Sequence, residues 1–260
     1  MTHSRRHILK TGCVLAAAAG LGKAAADPIL GMIFPTKGPM IPEASAMYPS
    51  GVNFLRDGVG LPQMTPEGYD SVIDRIVPAA QGLARQGARA VILFGTSLSF
   101  YKGAAFNQHL ADSIHQATGL PSTTMSTAVV EGLRAVGGRR LAVATAYNDD
   151  VSGRLRTFLT ESGFEVLTMQ GLGLVNMDDP GKVTQPELEQ FCAGVAEKAP
   201  KADAMVVSCG GLRTLELIAP LEKRCGIPVI SSTPHALWAG VRLLGLKGNA
   251  PGHGTLLSRG

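Results

Sequence analysis

Short apolar runs separated by helical stretches recur along this chain in two successive series, and that alternation restricts the fold more than any other feature. Ile29–Phe34 (ILGMIF), Ala90–Phe94 (AVILF), Leu141–Thr145 (LAVAT), Ala204–Val207 (AMVV) and Pro228–Ser231 (PVIS) are almost wholly apolar. A strand with one wet face alternates in polarity; a short run apolar at nearly every position is covered on both faces, as strands of parallel sheets are. Helix signals stand between the runs. Thr65-Pro66-Glu67 supplies an N-cap, a proline at the first helical position and an acid in the first turn. Tyr69, Val72, Ile73, Ile76, Val77 and Leu83 follow at helical spacing, which predicts one helix with Pro78 as a point of kinking. Ser126–Val136 reads as a second helix, and Asn148-Asp149-Asp150 caps a third carrying Val151, Leu155, Phe158 and Leu159. Thr184-x-x-Glu187 is a capping box for a helix with Leu188, Phe191, Cys192 and Val195 inward, and another runs from about Thr214 to Arg224. Two consecutive series predict an α/β protein of two pseudo-symmetric lobes, each a parallel sheet flanked by helices. The first lobe is expected over 27–137 with part of the C-terminal segment, the second over 138–235, and a C-terminal helix and tail over 236–260.

The N-terminus has a different character. Ser4-Arg5-Arg6-His7-Ile8-Leu9-Lys10 is a twin-arginine sequence, Cys13–Leu21 is a short apolar segment, and Ala24-Ala25-Ala26 offers small residues for cleavage before Asp27. These are the parts of an export signal of twin-arginine type, so residues 1–26 are expected to address the protein to the export machinery and leave it soluble in the periplasm. The apolar segment falls short of the roughly 20 residues of a membrane span. The leader also accounts for the net charge of +4: it holds four basic residues and no acid, and the rest has 20 of each sign. With no basic tract and 5% aromatic residues, nucleic-acid binding has no footing.

Beyond the leader the cysteines are Cys192, Cys209 and Cys225, an odd number that cannot be fully paired. None has metal-site spacing; His109 and His115 are six apart, and His235 and His253 have no nearby partner, so no metal is expected. Cys192 and Cys225 read as packing residues. Sites in parallel sheets lie beyond the carboxyl ends of the strands. Three such ends carry chemistry: Gly95-Thr96-Ser97 after Phe94, Ala146-Tyr147 after Thr145, and Ser208-Cys209-Gly210-Gly211 after Val207. Their hydroxyls and bare backbone would make a cradle of neutral donors for a carboxylate or oxyanion, with Cys209 on its rim. GTSLS is not the GxSxG elbow of an α/β-hydrolase, and no GxGxxG follows a strand.

At these residues the chain resembles the aspartate/glutamate racemase superfamily and, within it, the arylmalonate decarboxylases. The resemblance runs through Gly31-Met32-Ile33 with Pro35, Thr65-Pro66-Glu67-Gly68-Tyr69-Asp70 and Gly95-Thr96-Ser97-Leu98-Ser99-Phe100-Tyr101. It continues through Gly103-Ala104-Ala105-Phe106-Asn107, Thr124-Met125-Ser126-Thr127-Ala128, Ala144-Thr145-Ala146-Tyr147 and Ser208-Cys209-Gly210-Gly211-Leu212. Departures lie around Asn53–Met64, Gly173–Val183 and the C-terminal tail. Racemases of this superfamily use one cysteine from each lobe; here the first-lobe position is Gly95, the arrangement of the decarboxylase branch. The resemblance implies cofactor-free decarboxylation of a disubstituted malonate. Thr96, Ser97, Tyr147 and Gly210 would hold the carboxylate or oxyanion, and Cys209 would protonate one face of an enediolate. The substrate pocket would be completed by Pro35, Leu61, Met64, Tyr69, Gly95, Leu98, Met177 and Gly211. The expected partner is a small dicarboxylate substrate and the expected state a monomer. The alternatives are another enzyme of the superfamily (a maleate isomerase or an amino-acid or hydantoin racemase) and an exported dicarboxylate-binding protein.

Overall fold

A computed structural model describes residues 26–259. Within them, eight strands form two four-stranded sheets in which every pairing is parallel. β1 (Ile29–Phe34), β2 (Asn53–Gly58), β3 (Ala90–Leu93) and β4 (Ser122–Thr124) lie in the order β2-β1-β3-β4. β5 (Arg140–Tyr147), β6 (Glu165–Leu174), β7 (Ala204–Ser208) and β8 (Val229–Ser231) lie in the order β6-β5-β7-β8. Counted within each sheet the order is the same, so the two lobes repeat one topology. The central strands are apolar runs of the sequence, as is the short edge strand β8, and β3, β7 and β8 are buried at every residue. The edge strands β2 and β6 are mostly half-buried and carry polar residues, which is why no apolar run announces them.

The chain crosses between lobes at its C-terminal end. Helix Ser232–Leu243 follows β8 of the second sheet but packs on helix Met125–Ala135 and on β3 of the first. Gly240 permits this approach: a Cβ there would sit 2.6 Å from Leu30 Cδ2. A second link is an antiparallel bridge between Gln63 and Asn176, where the Met64 N–H donates to the Val175 carbonyl at 2.9 Å.

The region from Thr65 is not one kinked helix. Thr65 caps it as expected, its Oγ1 accepting the Gly68 N–H at 3.1 Å, but the helix covers only Pro66–Asp70. The Ser71 hydroxyl then donates to the Gly68 carbonyl at 2.6 Å, Val72 leaves helical geometry, and a 3₁₀ turn at Ile73–Arg75 leads into a new helix, Ile76–Arg85. Pro78 is the third residue of that helix, where an N–H would have no intrahelical partner, so it bends nothing. Elsewhere the caps stand as read: Asn148 accepts the Val151 N–H at 3.0 Å, and Thr184 with Glu187 forms the capping box. The twin-arginine sequence and nearly all of the proposed signal lie outside the described residues. No helix among the described residues is long and apolar enough to cross a membrane.

Candidate active site

The carboxyl ends of β1, β3, β5 and β7 converge on one cavity of about 180 Å³, lined by Pro35, Gly95, Thr96, Ser97, Tyr147, Cys209, Gly210 and Gly211 and closed by Met64 and Met177. It is smaller than the usual 300–1,000 Å³ of drug-sized ligand sites. Gly95 and Cys209 occupy matching places, each just beyond the third strand of its lobe. The backbone at Gly95 is ordinary (φ −148°), so room rather than conformation requires a glycine. A Cβ there would meet Pro35 Cγ at 3.1 Å and Leu98 Cβ at 3.3 Å.

Gly95 opens a one-turn helix, Thr96–Phe100, without a side-chain cap, so first-turn N–H groups remain without intrahelical partners at the cavity wall. The helix is fixed from below: the hydroxyls of Ser99 and Ser126 both donate to the Thr96 carbonyl at 2.9 Å. Thr96 Oγ1 donates to Ser232 Oγ at 2.8 Å and lies equally close to Met125 Sδ. Ser232 Oγ also accepts the Cys209 N–H at 3.1 Å, so one hydroxyl ties together the turns that the two lobes bring to the cavity. Thr233 Oγ1 donates to the Gly210 carbonyl at 3.0 Å and orients the next peptide.

Cys209 is buried and unpaired, as are Cys192 and, less deeply, Cys225. It has a positive φ of 153°, unique among the described non-glycine residues, a strain of about 1–3 kcal/mol that only a well-braced turn sustains. Burial pushes its thiol from 9.0 up to about 11, against the smaller opposing pull of the Gly211 N–H, the Tyr147 hydroxyl and the Leu212 N–H. The group therefore rests as a protonated thiol at neutral pH. Burial likewise raises Tyr147 well above the ordinary phenol range, with Ser208 and Thr96 hydroxyls beside it, so it remains a neutral donor.

Of the thirteen residues expected at the site, ten line the cavity. Leu61, Tyr69 and Leu98 do not: all three are buried, with Leu98 packed against Gly95 and Tyr69 beside Ser97. The Tyr69 hydroxyl is buried without a hydrogen-bond partner in the described residues. The structure also adds residues that the sequence did not single out: Phe34, Thr36, Ile41, Phe94 and Arg56. Arg56 changes the character of the wall, because the donors around the cavity are not all neutral. Its guanidinium lies 3.7 Å from the centroid of the Phe34 ring, which packs on Phe94 at 4.7 Å, and its Nη2 donates to the Thr36 carbonyl at 2.7 Å. The only signal for it was a cation within a segment that departs from the resembled family. Among the described residues no group of three or more His, Cys, Asp or Glu could hold a metal.

Comparison with known proteins agrees with this architecture. The family model described as arylmalonate decarboxylase matches residues 30–257. Arylmalonate decarboxylase from Bordetella bronchiseptica is 47% identical over 234 residues, 89% of this chain and 97% of that protein. A solved mutant of arylmalonate decarboxylase with one glycine replaced by cysteine and one cysteine by serine, in its liganded form, is similar with a TM-score of 0.86. That structure is 46% identical, over 89% of this chain and 99% of the other. The maleate isomerase of Pseudomonas putida S16 shares the fold at 21% identity, with a TM-score of 0.81 over 89% of this chain and 98% of its own. From a family match across nearly all the described chain and a full-length relative at this identity, the chain belongs to the arylmalonate decarboxylase family and is a carboxy-lyase.

Proposed function

We propose that the protein decarboxylates an arylmalonate-type disubstituted malonate without a cofactor and delivers one enantiomer of the 2-arylcarboxylate. The observation that carries this reading is the asymmetry of the cavity: a protonated thiol at Cys209, and Gly95 at the matching place of the other lobe. One carboxylate rests in the cradle of Thr96, Ser97, Tyr147 and the Gly210 peptide, while the other faces the apolar side near Pro35 and Met64. Heterolysis of the bond to that second carboxylate releases CO2 and leaves the electron pair on the α carbon, conjugated with the remaining carboxylate as an enediolate. Donors already aimed at the oxygens stabilise the charge as it develops, and an apolar wall offers the departing carboxylate no hydration. Cys209 then gives its proton to the exposed face of the α carbon, and its thiolate is reprotonated from water. The enediolate is far more basic than a thiolate, so a thiol of raised pKa is still an adequate acid.

The test is CO2 release from phenylmalonate and methyl-phenylmalonate by the purified protein after exhaustive dialysis against chelator, with chiral analysis of the second product. Turnover with a single enantiomer, and loss of nearly all of it in Cys209→Ala, is the expected result. Turnover preserved in Cys209→Ala would remove the proton-donor role, and proton exchange at the α carbon without CO2 would favour a racemase-like chemistry. Residues 1–26 serve in this reading as a twin-arginine export signal. Arg5→Lys with Arg6→Lys should abolish recovery of the protein from the periplasmic fraction; unchanged recovery there overturns the assignment.

A further inference from the structure

Arg56 is the feature of the cavity that this chemistry leaves unused. It sits on β2, opposite Met32 of β1 in the sheet register, and its guanidinium reaches the cavity wall between Phe34 and Thr36. Its commitments account for only part of its hydrogen-bonding capacity. Nη2 donates to the Thr36 carbonyl, and the plane stacks on Phe34. Nε is buried with no partner, and no carboxylate lies within salt-bridge distance among the described residues. The neighbouring acid does not help: strand alternation turns Asp57 to the other face, where it accepts the Gly58 N–H and lies near Gly82. A half-desolvated cation without a counter-ion, on the wall of an anion-binding cavity, is poised for an anionic ligand.

We infer that Arg56 is a specificity-determining residue that recognises a carboxylate carried on the α-substituent of the substrate, distal to the reacting carbon. The inference rests on the decarboxylase reading and names the substituent class that reading leaves open. The two malonate carboxylates are not suitable partners. The retained one belongs to the neutral cradle around Thr96 and Tyr147. A guanidinium paired with the departing one would hold the ground state more tightly than the transition state, in which that charge is being lost, and would slow the reaction. A third anionic group on an aryl ring keeps its charge throughout, so binding it helps capture without penalising the chemical step. Thr36, which accepts from Arg56, lines the cavity together with Ile41.

The experiment compares phenylmalonate with 3- and 4-carboxyphenylmalonate in the wild type, Arg56→Ala and Arg56→Lys, each checked for a native melting transition. Arg56→Ala should lower kcat/KM for the better carboxylated substrate relative to phenylmalonate by about 10- to 100-fold, chiefly through KM. Arg56→Lys should recover part of that ratio, since it keeps the charge and loses the planar fork. Calorimetric binding of 3- and 4-carboxyphenylacetate against phenylacetate gives a readout independent of turnover: the wild type should bind the better carboxylated ligand at least tenfold more tightly, and Arg56→Ala should lose that advantage. A ratio within twofold of wild type in both measurements overturns the inference, as does a rise in phenylmalonate kcat with the ratio unchanged, which would place Arg56 on the departing carboxylate. No CO2 from any malonate, together with an Arg56-dependent binding preference, would instead sink the decarboxylase reading and leave the anion site standing.

Discussion

The state of the Cys209 thiol can be tested directly by its reactivity. A proton donor must rest protonated, and burial raises this thiol from 9.0 to about 11. At pH 8 a thiol of ordinary pKa is roughly 9% thiolate, whereas one at 11 is roughly 0.1%, a deficit of about 100-fold in the species that alkylating reagents attack. Cys225, also raised by burial but only partly covered, is the internal standard. Time courses with iodoacetamide from pH 7 to 10.5, read by peptide mass mapping, should show Cys225 labelled first at pH 8. The Cys209 rate should climb tenfold per pH unit without a plateau below about pH 10. The same shift has a sign for stability. The folded protein holds this proton more tightly than the unfolded chain, so the associated stability is intact below pH 9 and is lost as pH rises from 9 to 11, by about 2–3 kcal/mol. Rapid labelling of Cys209 at pH 7 with a pH-independent rate would mean a resting thiolate. The thiol would then be a nucleophile or base, and the protonation step argued above would be wrong.

His235 gives an acid-side counterpart. It is fully buried with its Nδ1 accepting the Ser231 N–H at 3.0 Å, and burial lowers its pKa to about 4 from 6.5. Stability should be complete above pH 6.5 and fall as pH drops toward 4, by about 3 kcal/mol, as the unfolded chain takes up the proton first; chemical denaturation of His235→Asn should show a flatter slope across that window, and an unchanged slope refutes the assignment. Gly95→Cys should fold at a cost of about 1–2 kcal/mol, since its Cβ needs only a few tenths of an ångström from Pro35 and Leu98. It should also erode the enantiomeric purity of the product; undiminished purity on chiral chromatography would mean that facial selectivity does not come from the missing acid. Ser232→Ala removes the acceptor shared by the Cys209 N–H and the Thr96 hydroxyl. It should cost about 1–2 kcal/mol of stability and lower kcat more than it raises KM; wild-type kcat would separate this hydroxyl from the positioning of either turn.

The parts of this protein that could be read from sequence are those whose surroundings are uniform. β3 and β7 are buried on both faces, so their residues answer to one environment and appear as apolar runs, and the turns after them inherit a predictable place at the sheet's carboxyl edge. That suffices to find Gly95, Thr96, Ser97, Cys209 and Gly210. β2 and β6 are edge strands left half-buried, unlike the covered edge strand β8, so each residue answers to a different neighbour, and neither NFLRDG nor EVLTMQGLGL has a period to read. The broken helix after Thr65 failed for a related reason: its apolar spacing is helical, but a single Ser71 hydroxyl bond to the Gly68 carbonyl ends it locally. Likewise Tyr69 and Leu98 belong to the site's motifs yet do not line the cavity, since a motif fixes chain position and packing decides which atoms face the cavity. Arg56 is the sharpest case. In the sequence it is one charge on a polar strand; only pairing with β1 and stacking on Phe34 bring it to the cavity. In the proposed reaction the reacting centre is thus built from covered strand ends, where substitution disturbs two packed faces at once. The substituent end borrows an edge strand, where a side chain can change without unsettling a core, and a family that keeps one reaction while varying its substrate would vary it there.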